Sequence, residues 1–359
     1  MAEAFISRRG GGTTINGQEF VKAIFLEEIN RGDRVVMRPS RPSSKIEDPS
    51  TLPTGDGWGC AFSPNGKYLA VAHDSSPYIT IYKRSGDTFT KLSDPDVLPT
   101  GEALGCAFSL DGIYLAVAHR NSPYITIYKR SGDTFTKLSN PLSLPAGTAL
   151  GCAFSPGGIY LAVAHSDEPH ITIYKRSGDT FTKLSDPLTL PADTALGCAF
   201  SPDGVYLAVA RDNLPYITIY KRSGDTFAEL SDPSSLPTGN GRDCAFSPDG
   251  TYLAVAHSSS PYITIYKRSG DTFNKLSKPS SLPAGTAFGC AFYPYGIYLA
   301  VAHSEEPYIT IYKGEYQANL YIDGSTYNFG DILGYAVESG TSNETKKVAK
   351  LFDMKIFMR

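Results

Sequence analysis

The sequence contains no run of about 18 apolar residues, the length a membrane-spanning helix needs, so no insertion into a bilayer is expected. Charge of one sign is also scarce. The 33 Lys and Arg residues face 36 Asp and Glu, a net −3, which gives no field to gather nucleic acid or anionic lipid. The opening MAEAFISRRGGG has no apolar stretch of the secretory kind, and synthesis in a cytoplasm is expected. Cysteine is present but never as Cys-x-x-Cys, and there is a single Trp. No Walker loop, dinucleotide fingerprint or nucleophile motif occurs, so neither an enzyme nor a cofactor is expected. Against these absences stand 41% hydrophobic and 12% aromatic residues, enough apolar material for a folded core.

The cysteines reveal the organisation. Cys60, Cys106, Cys152, Cys198, Cys244 and Cys290 follow one another at intervals of 46 residues. The same text surrounds each, as in CAFSPDGTYLAVAHSSSPYITIYKRSGDTFNKLSKPSSLPAG from Cys244. Each copy reads as four short strands: CAFS, YLAVAH, YITIYK and TFTKLS. The β-branched and aromatic content favours strands. Pro-Asp-Gly and Ser-Gly-Asp turns separate the first pair and the last pair. Four strands in about 46 residues is the period of a propeller blade. The first two strands are apolar on both faces, as sandwiched blades require. They carry small residues (Ala61, Ala70, Ala72) where a wheel narrows, while Thr90 and Lys91 face water. The expected fold is all-β, a six-bladed propeller at 40–313, flanked by terminal segments 1–39 and 314–359. The Ser-Pro-Asp-Gly turn followed by Tyr-Leu-Ala-Val-Ala resembles WD-repeat propellers. The signature differs, with Tyr82-Lys83 standing where Trp-Asp would be and no Gly-His pair ahead of the blade.

The sixth copy breaks off after Tyr312-Lys313, before its fourth strand. Ahead of the first copy, Ser44-Lys45-Ile46-Glu47-Asp48-Pro49 with Leu52-Pro53 matches Thr90 to Pro95 with Leu98-Pro99. The N-terminal segment is therefore expected to supply the missing strand and remove an exposed edge. Burial of Ile46 and Leu52 would contribute roughly 1.5–3 kcal/mol each. Because strands alternate in direction, the second-to-third and fourth-to-first loops share one face. The terminal segments should leave together from the other.

The copies differ from one another mainly on the first of these faces. Residues 74–76, 120–122, 166–168, 212–214, 258–260 and 304–306 vary, as do Gly57-Trp58 and Arg242-Asp243, where most copies have Ala-Leu-Gly. A scaffold anchored from below and reading something above would look like this; drift at exposed loop tips would too. Trp58, Arg120, Arg211, Arg242 and Asp243 are the candidate binding residues, because Trp and Arg dominate many recognition surfaces. The six cysteines occupy one position on different blades, too far apart to bridge, and read as small buried hydrophobes. Five blades end the second strand with His (His73, His119, His165, His257, His303) and the fourth with Arg211. One His per blade is too widely spaced for a single metal ion, so a hydrogen bond to the adjoining loop is expected, and His170 reads as incidental. Asp167, Glu168, Glu305 and Glu306 read as solvated loop residues with no metal.

The terminal segments lack repeat text. Glu28 to Val36 reads as a turn into a strand, a hairpin is expected at Ile322-Asp323-Gly324, and strands at Ile332–Val337 and Lys347–Phe352. Together they would form one small β module. The opening MAEAFISRRGGG…ING resembles structural proteins of phages of Gram-positive bacteria. INRGDRVV together with GDILGYAVESGTSNETKKVAKLF is similar to β modules of virion decoration and tail-fibre proteins. The resemblance implies a virion protein, anchored to other virion proteins by its terminal module, with a homo-oligomer expected. Its propeller would bind a host-surface glycan or protein. The alternatives are an architectural capsid or neck decoration protein and, further off, a lactonase-type enzyme.

Overall fold

In the computed structural model, residues 48–293 and 298–313 are described, together with the backbone of 319–322 and 325–328. The chain divides into two units, Ile46–Gly314 and the terminal segments Met1–Lys45 with Glu315–Arg359. Among the described residues of the first unit there are strands and turns but no helix.

Blade one is a meander of β1 (Gly57–Phe62), β2 (Tyr68–His73), β3 (Ile79–Ser85) and β4 (Thr88–Lys91). Its strands pair antiparallel in chain order. The pattern recurs through β20 (Thr272–Lys275). Blade six has three described strands, β21 (Ala287–Phe292), β22 (Tyr298–His303) and β23 (Ile309–Lys313). The protein is thus a six-bladed β-propeller. In the second unit β24 (Asn319–Ile322) pairs with β25 (Ser325–Asn328), flanking the turn where a hairpin was expected. The other strands expected in the terminal segments lie outside the described residues.

The core is shared between blades. Tyr68, Ala70, Ala72, Ile79 and Ile81 of blade one pack on Ala103, Leu115, Val117, Tyr128 and Phe135 of blade two. Corresponding clusters join blades two to three, three to four, four to five and five to six. Each fully buried Leu, Ile or Phe contributes about 1.5–3 kcal/mol, so every blade depends on its neighbour. A polar latch closes the lower edge of the first four boundaries. Tyr68 Oη donates to Asp133 at 2.6 Å and lies 2.9 Å from the Gly132 carbonyl. Lys83 meets the other Asp133 oxygen at 2.6 Å, and Arg130 stacks 4.9 Å from the Tyr68 ring. The latch repeats with Tyr114 and Lys129 on Asp179, Tyr160 and Lys175 on Asp225, and Tyr206 and Lys221 on Asp271.

Crossovers between blades are held by the third strand of the blade they enter. Tyr128 Oη donates to the Val97 carbonyl at 2.8 Å and Tyr174 Oη to Ser143 at 2.8 Å. Tyr82 makes the same bond to Thr51 at 2.9 Å. Residues around Thr51 therefore follow an inter-blade crossover path. Lys45 and Ile46, expected to close the ring, lie outside the described residues. Leu52 departs from expectation: it is 56% exposed, whereas its counterpart Leu98 is half-buried.

These packing roles rank two substitutions. Leu161→Ala empties a fully buried position in the blade two/three core and should cost about 2–5 kcal/mol. Tyr114→Phe removes only the latch hydroxyl and should cost about 1 kcal/mol. Urea unfolding midpoints would show the order, and equal or inverted losses would contradict the shared-core account.

Candidate interaction face

The strand-end histidines are internal. Their Nε2 atoms lie 2.9–3.0 Å from Thr80, Thr126, Thr172, Thr264 and Thr310 Oγ1 in the third strand of the same blade. The adjoining loop, the expected partner, also meets the ring, through a backbone group at Ser75, Asn121, Asp167 and Ser259 for His73, His119, His165 and His257. The threonine bond arises because the second and third strands pair side by side, which brings residues seven apart together. Burial pushes His119, His165 and His257 down to about 4, so these rings are neutral near pH 7. Among the described residues no group of three or more His, Cys, Asp or Glu is placed to hold a metal ion.

Blade four breaks this row in a correlated way. Arg211 replaces the His and is only 4% exposed, so it lies inside the blade and cannot present itself to a surface ligand as expected. Its Nε and Nη1, and Thr218 Oγ1, have no hydrogen-bond partner. In the other described blades the outer strand has Lys near the His (Lys91, Lys137, Lys183, Lys275); blade four has Glu229. Burial lowers the Arg211 pKa, while Asp232 and then Glu229 oppose that shift. The two replacements compensate: a neutral His beside Lys becomes Arg beside Glu.

A second break lies at the inner strands, which are so close that glycine is required. A Cβ on Gly105 would meet the Leu150 carbonyl oxygen at 3.3 Å, and one on Gly151 the Leu196 oxygen at 3.1 Å. Blade five has Asp243 at this position. Its Oδ2 accepts the Cys290 backbone N–H of blade six at 3.1 Å, and its Oδ1 lies toward Gly197 of blade four. Burial raises its pKa from 3.8 to about 6. Arg242 beside it is half-buried, with an unpartnered Nε. Below them a cavity of about 440 Å³ lies among the inner strands, its wall including Phe154, Phe200 and Phe246. The cysteines of this wall are free. Each from Cys106 onward points its thiol at an alanine carbonyl of the preceding blade, 3.6–3.8 Å away.

More departures gather at the boundary of blades four and five. Asn240 donates to Asp212 at 3.2 Å across it, and Gly241 lies against Arg211 N and Tyr216 O. Asn213 bonds Asp193, which stands where all five other copies have Gly, and Leu214 is exposed. Of the five residues singled out from sequence, the structure brings only Arg242 and Asp243 together. Arg120 is engaged by Glu102 at 2.5 Å in blade two. Trp58 is 58% exposed in blade one. Asn240, Asp212, Asn213 and Leu214 complete the patch and were not singled out. Their signal was visible only as a pairwise departure from the other copies.

No family model and no curated protein matches the sequence. Solved structures do resemble the fold. Kuenenia stuttgartiensis hydrazine synthase has a TM-score of 0.58 at 17% identity, over 85% of this chain and 86% of its own. A 6-phosphogluconolactonase-like protein of Bacteroides uniformis has 0.61 at 16%, over 79% and 86%. The β-propeller domain of Myceliophteria thermophila Cps50 (Swd1) has 0.55 at 12%, over 72% and 84%. At such identities the likeness shows the propeller fold alone. Neighbours named for enzymes stand beside one named as a propeller domain, so the fold does not diagnose catalysis.

Two predictions follow from blade four and the axis. Glu229→Lys should cost about 1–2 kcal/mol by setting a second cation beside buried Arg211. Adding Arg211→His rebuilds the common pair and should recover most of the loss. A double-mutant cycle by urea unfolding measures the coupling, and strict additivity would refute the compensation. Asp243 binds a proton more tightly folded than unfolded, so its stabilising contribution is present below about pH 3.8 and lost as pH rises through about 6. Asp243→Gly should therefore gain on the wild type as pH rises from 4 to 7, by on the order of 2 kcal/mol. A pH-independent difference would contradict this placement.

Proposed function

We propose that this chain is a virion structural protein of a phage of a Gram-positive bacterium. It is held to the particle by its terminal segments and displays a propeller that binds a host-surface glycan or protein. In this reading the segment Ser44–Pro53 supplies the outer strand of the last blade, so that both terminal segments leave from one face. The observation that carries the binding role is the concentration of departures at one boundary of an otherwise uniform ring. Asn240, Arg242, Asp243, Asp212, Asn213 and Leu214 put donors, acceptors and an apolar side chain within one patch. Asp243 stands where the other five blades have Gly, and its carboxylate opposes stability at neutral pH, as expected of a residue that serves contact rather than folding. The phage assignment is supported by the resemblance of the opening MAEAFISRRGGG and of the C-terminal text to virion proteins. The architectural alternative, a capsid or neck decoration protein without receptor binding, shares the anchoring and predicts no ligand.

Arg242→Leu with Asp243→Gly separates the two readings, because Leu-Gly is what three of the other blades carry and the fold accepts it. The wild type should bind at least one of a panel of purified Gram-positive cell-wall polysaccharides, and the double variant should lose about tenfold or more in affinity, as when a charged contact is removed. Equal binding by both, or none by either, favours the architectural role.

A further inference from the structure

Five of the six blades place one tyrosine unlike the rest. Tyr78, Tyr124, Tyr216 and Tyr262 stand where the loop after the second strand enters the third, each with a positive φ of 65–67°. His170 and Tyr308 hold the same place in blades three and six, with φ of 63°. Glycine and asparagine take this left-handed conformation readily, whereas a bulky side chain takes it at a cost. A row of aromatics held there points to a use outside the backbone.

The four tyrosines sit at blade boundaries. Tyr78 packs on the core shared by blades one and two, Tyr124 on that of two and three, and Tyr262 on that of five and six. Gly241 of blade five lies against the Tyr216 carbonyl of blade four. All four are half-buried, and among the described residues none of their hydroxyls has a hydrogen-bond partner. Latch and crossover tyrosines such as Tyr114 and Tyr128 spend theirs on the fold. The loops around the four are fixed. Tyr124 N–H donates to the Asn121 carbonyl at 2.8 Å, and the Tyr124 carbonyl accepts from His119 N–H at 2.9 Å. Thr100 Oγ1 donates to the Ser122 carbonyl at 2.8 Å, and Thr54 and Thr238 repeat that bond in blades one and five. A ring placed this way needs little ordering when it binds.

Beside these rings the loop tips 75–76, 121–122, 213–214 and 259–260 are exposed, and each carries Ser or Asn. Rigid tyrosine flanked by such residues combines apolar contact with adaptable hydrogen bonding. A sugar presents both matching parts. Its C–H bonds suit the negative face of an aromatic ring, and its hydroxyls pair with Ser and Asn. Repetition chooses the ligand class: equivalent positions at successive boundaries match a chain of equivalent units, whereas a folded protein offers one non-repeating surface. Resting on the glycan-binding reading above, we propose that Tyr78, Tyr124, Tyr216 and Tyr262 are sugar-stacking positions, one per boundary. The face then binds a repeating polysaccharide through several weak sites at once. Blade three is the exception, since His170 offers a smaller ring whose Nδ1 lies 2.9 Å from the Ser166 carbonyl of its own loop.

The probes are purified Gram-positive cell-wall polysaccharides, whole and cut to labelled single repeats. Equilibrium dialysis with single repeats should count more than one site per chain, and whole polysaccharide should bind on the order of 100-fold more tightly. Tyr124→Asn, which suits the left-handed backbone, should lower the count by one. His170→Tyr should raise it by one, a gain that misfolding cannot produce. A single site per chain, or a count that either variant leaves unchanged, would overturn the proposal. If Arg242→Leu with Asp243→Gly still weakens binding in that case, the glycan reading itself survives. Binding of no polysaccharide by the wild type would overturn both.

Discussion

A side chain on Gly59, Gly105 or Gly151 would meet the backbone of the next inner strand at 3.1–3.4 Å. That contact sets how closely the blades approach at the axis, and the rest of the propeller is built outward from it. With the inner strands touching, Ala70 and Ala72 fit between blades, and the larger Ile79, Leu115 and Phe135 fill the widening wedge. Beyond them the Tyr–Lys–Asp latch spans the boundary where it reaches water. Small, then large, then charged is the order in which a blade's side chains meet its neighbour, and it follows from wedge geometry at native packing density.

Uniformity gives the departures their meaning. Where the same 46-residue text makes the same contact at boundary after boundary, a changed residue either compensates another change or serves something outside the fold. Arg211 with Glu229 belongs to the first kind, because both lie within one blade and change charge in opposite directions. Asp243 belongs to the second. It takes a glycine position, borrows a backbone N–H from blade six and holds a carboxyl that burial keeps near a pKa of about 6. Its neighbour Arg242 has no counterpart in the other blades, and Asn240 meets the Asp212 side chain where Thr148, Thr194 and Thr286 meet a loop carbonyl at the same spacing. This is the physical ground for reading the blade four/five boundary as a contact surface.

The repeat makes the fold legible in the text itself. Period, strand text and turn residues all pointed to four-stranded blades, and the strands lie where the text places them. What could not be read was exposure. Arg211 reads as a surface arginine, yet its place in the row is a His slot under the third strand, and only the pairing of strands shows that. Leu52 matches Leu98 in text but is exposed where Leu98 is half-buried. Asp243 was noticed as a break, but its link to Cys290 depends on a contact between strands 46 residues apart, which the sequence order does not display.

Display on a particle is the claim from which the binding reading takes its meaning. The direct measurement is cryo-electron microscopy of purified phage particles, with a propeller-specific antibody fragment as a marker. The account predicts marker density on the particle surface, with the face bearing Arg242 and Asp243 directed outward. Particles that carry no marker while the protein stays in the cleared lysate would contradict it.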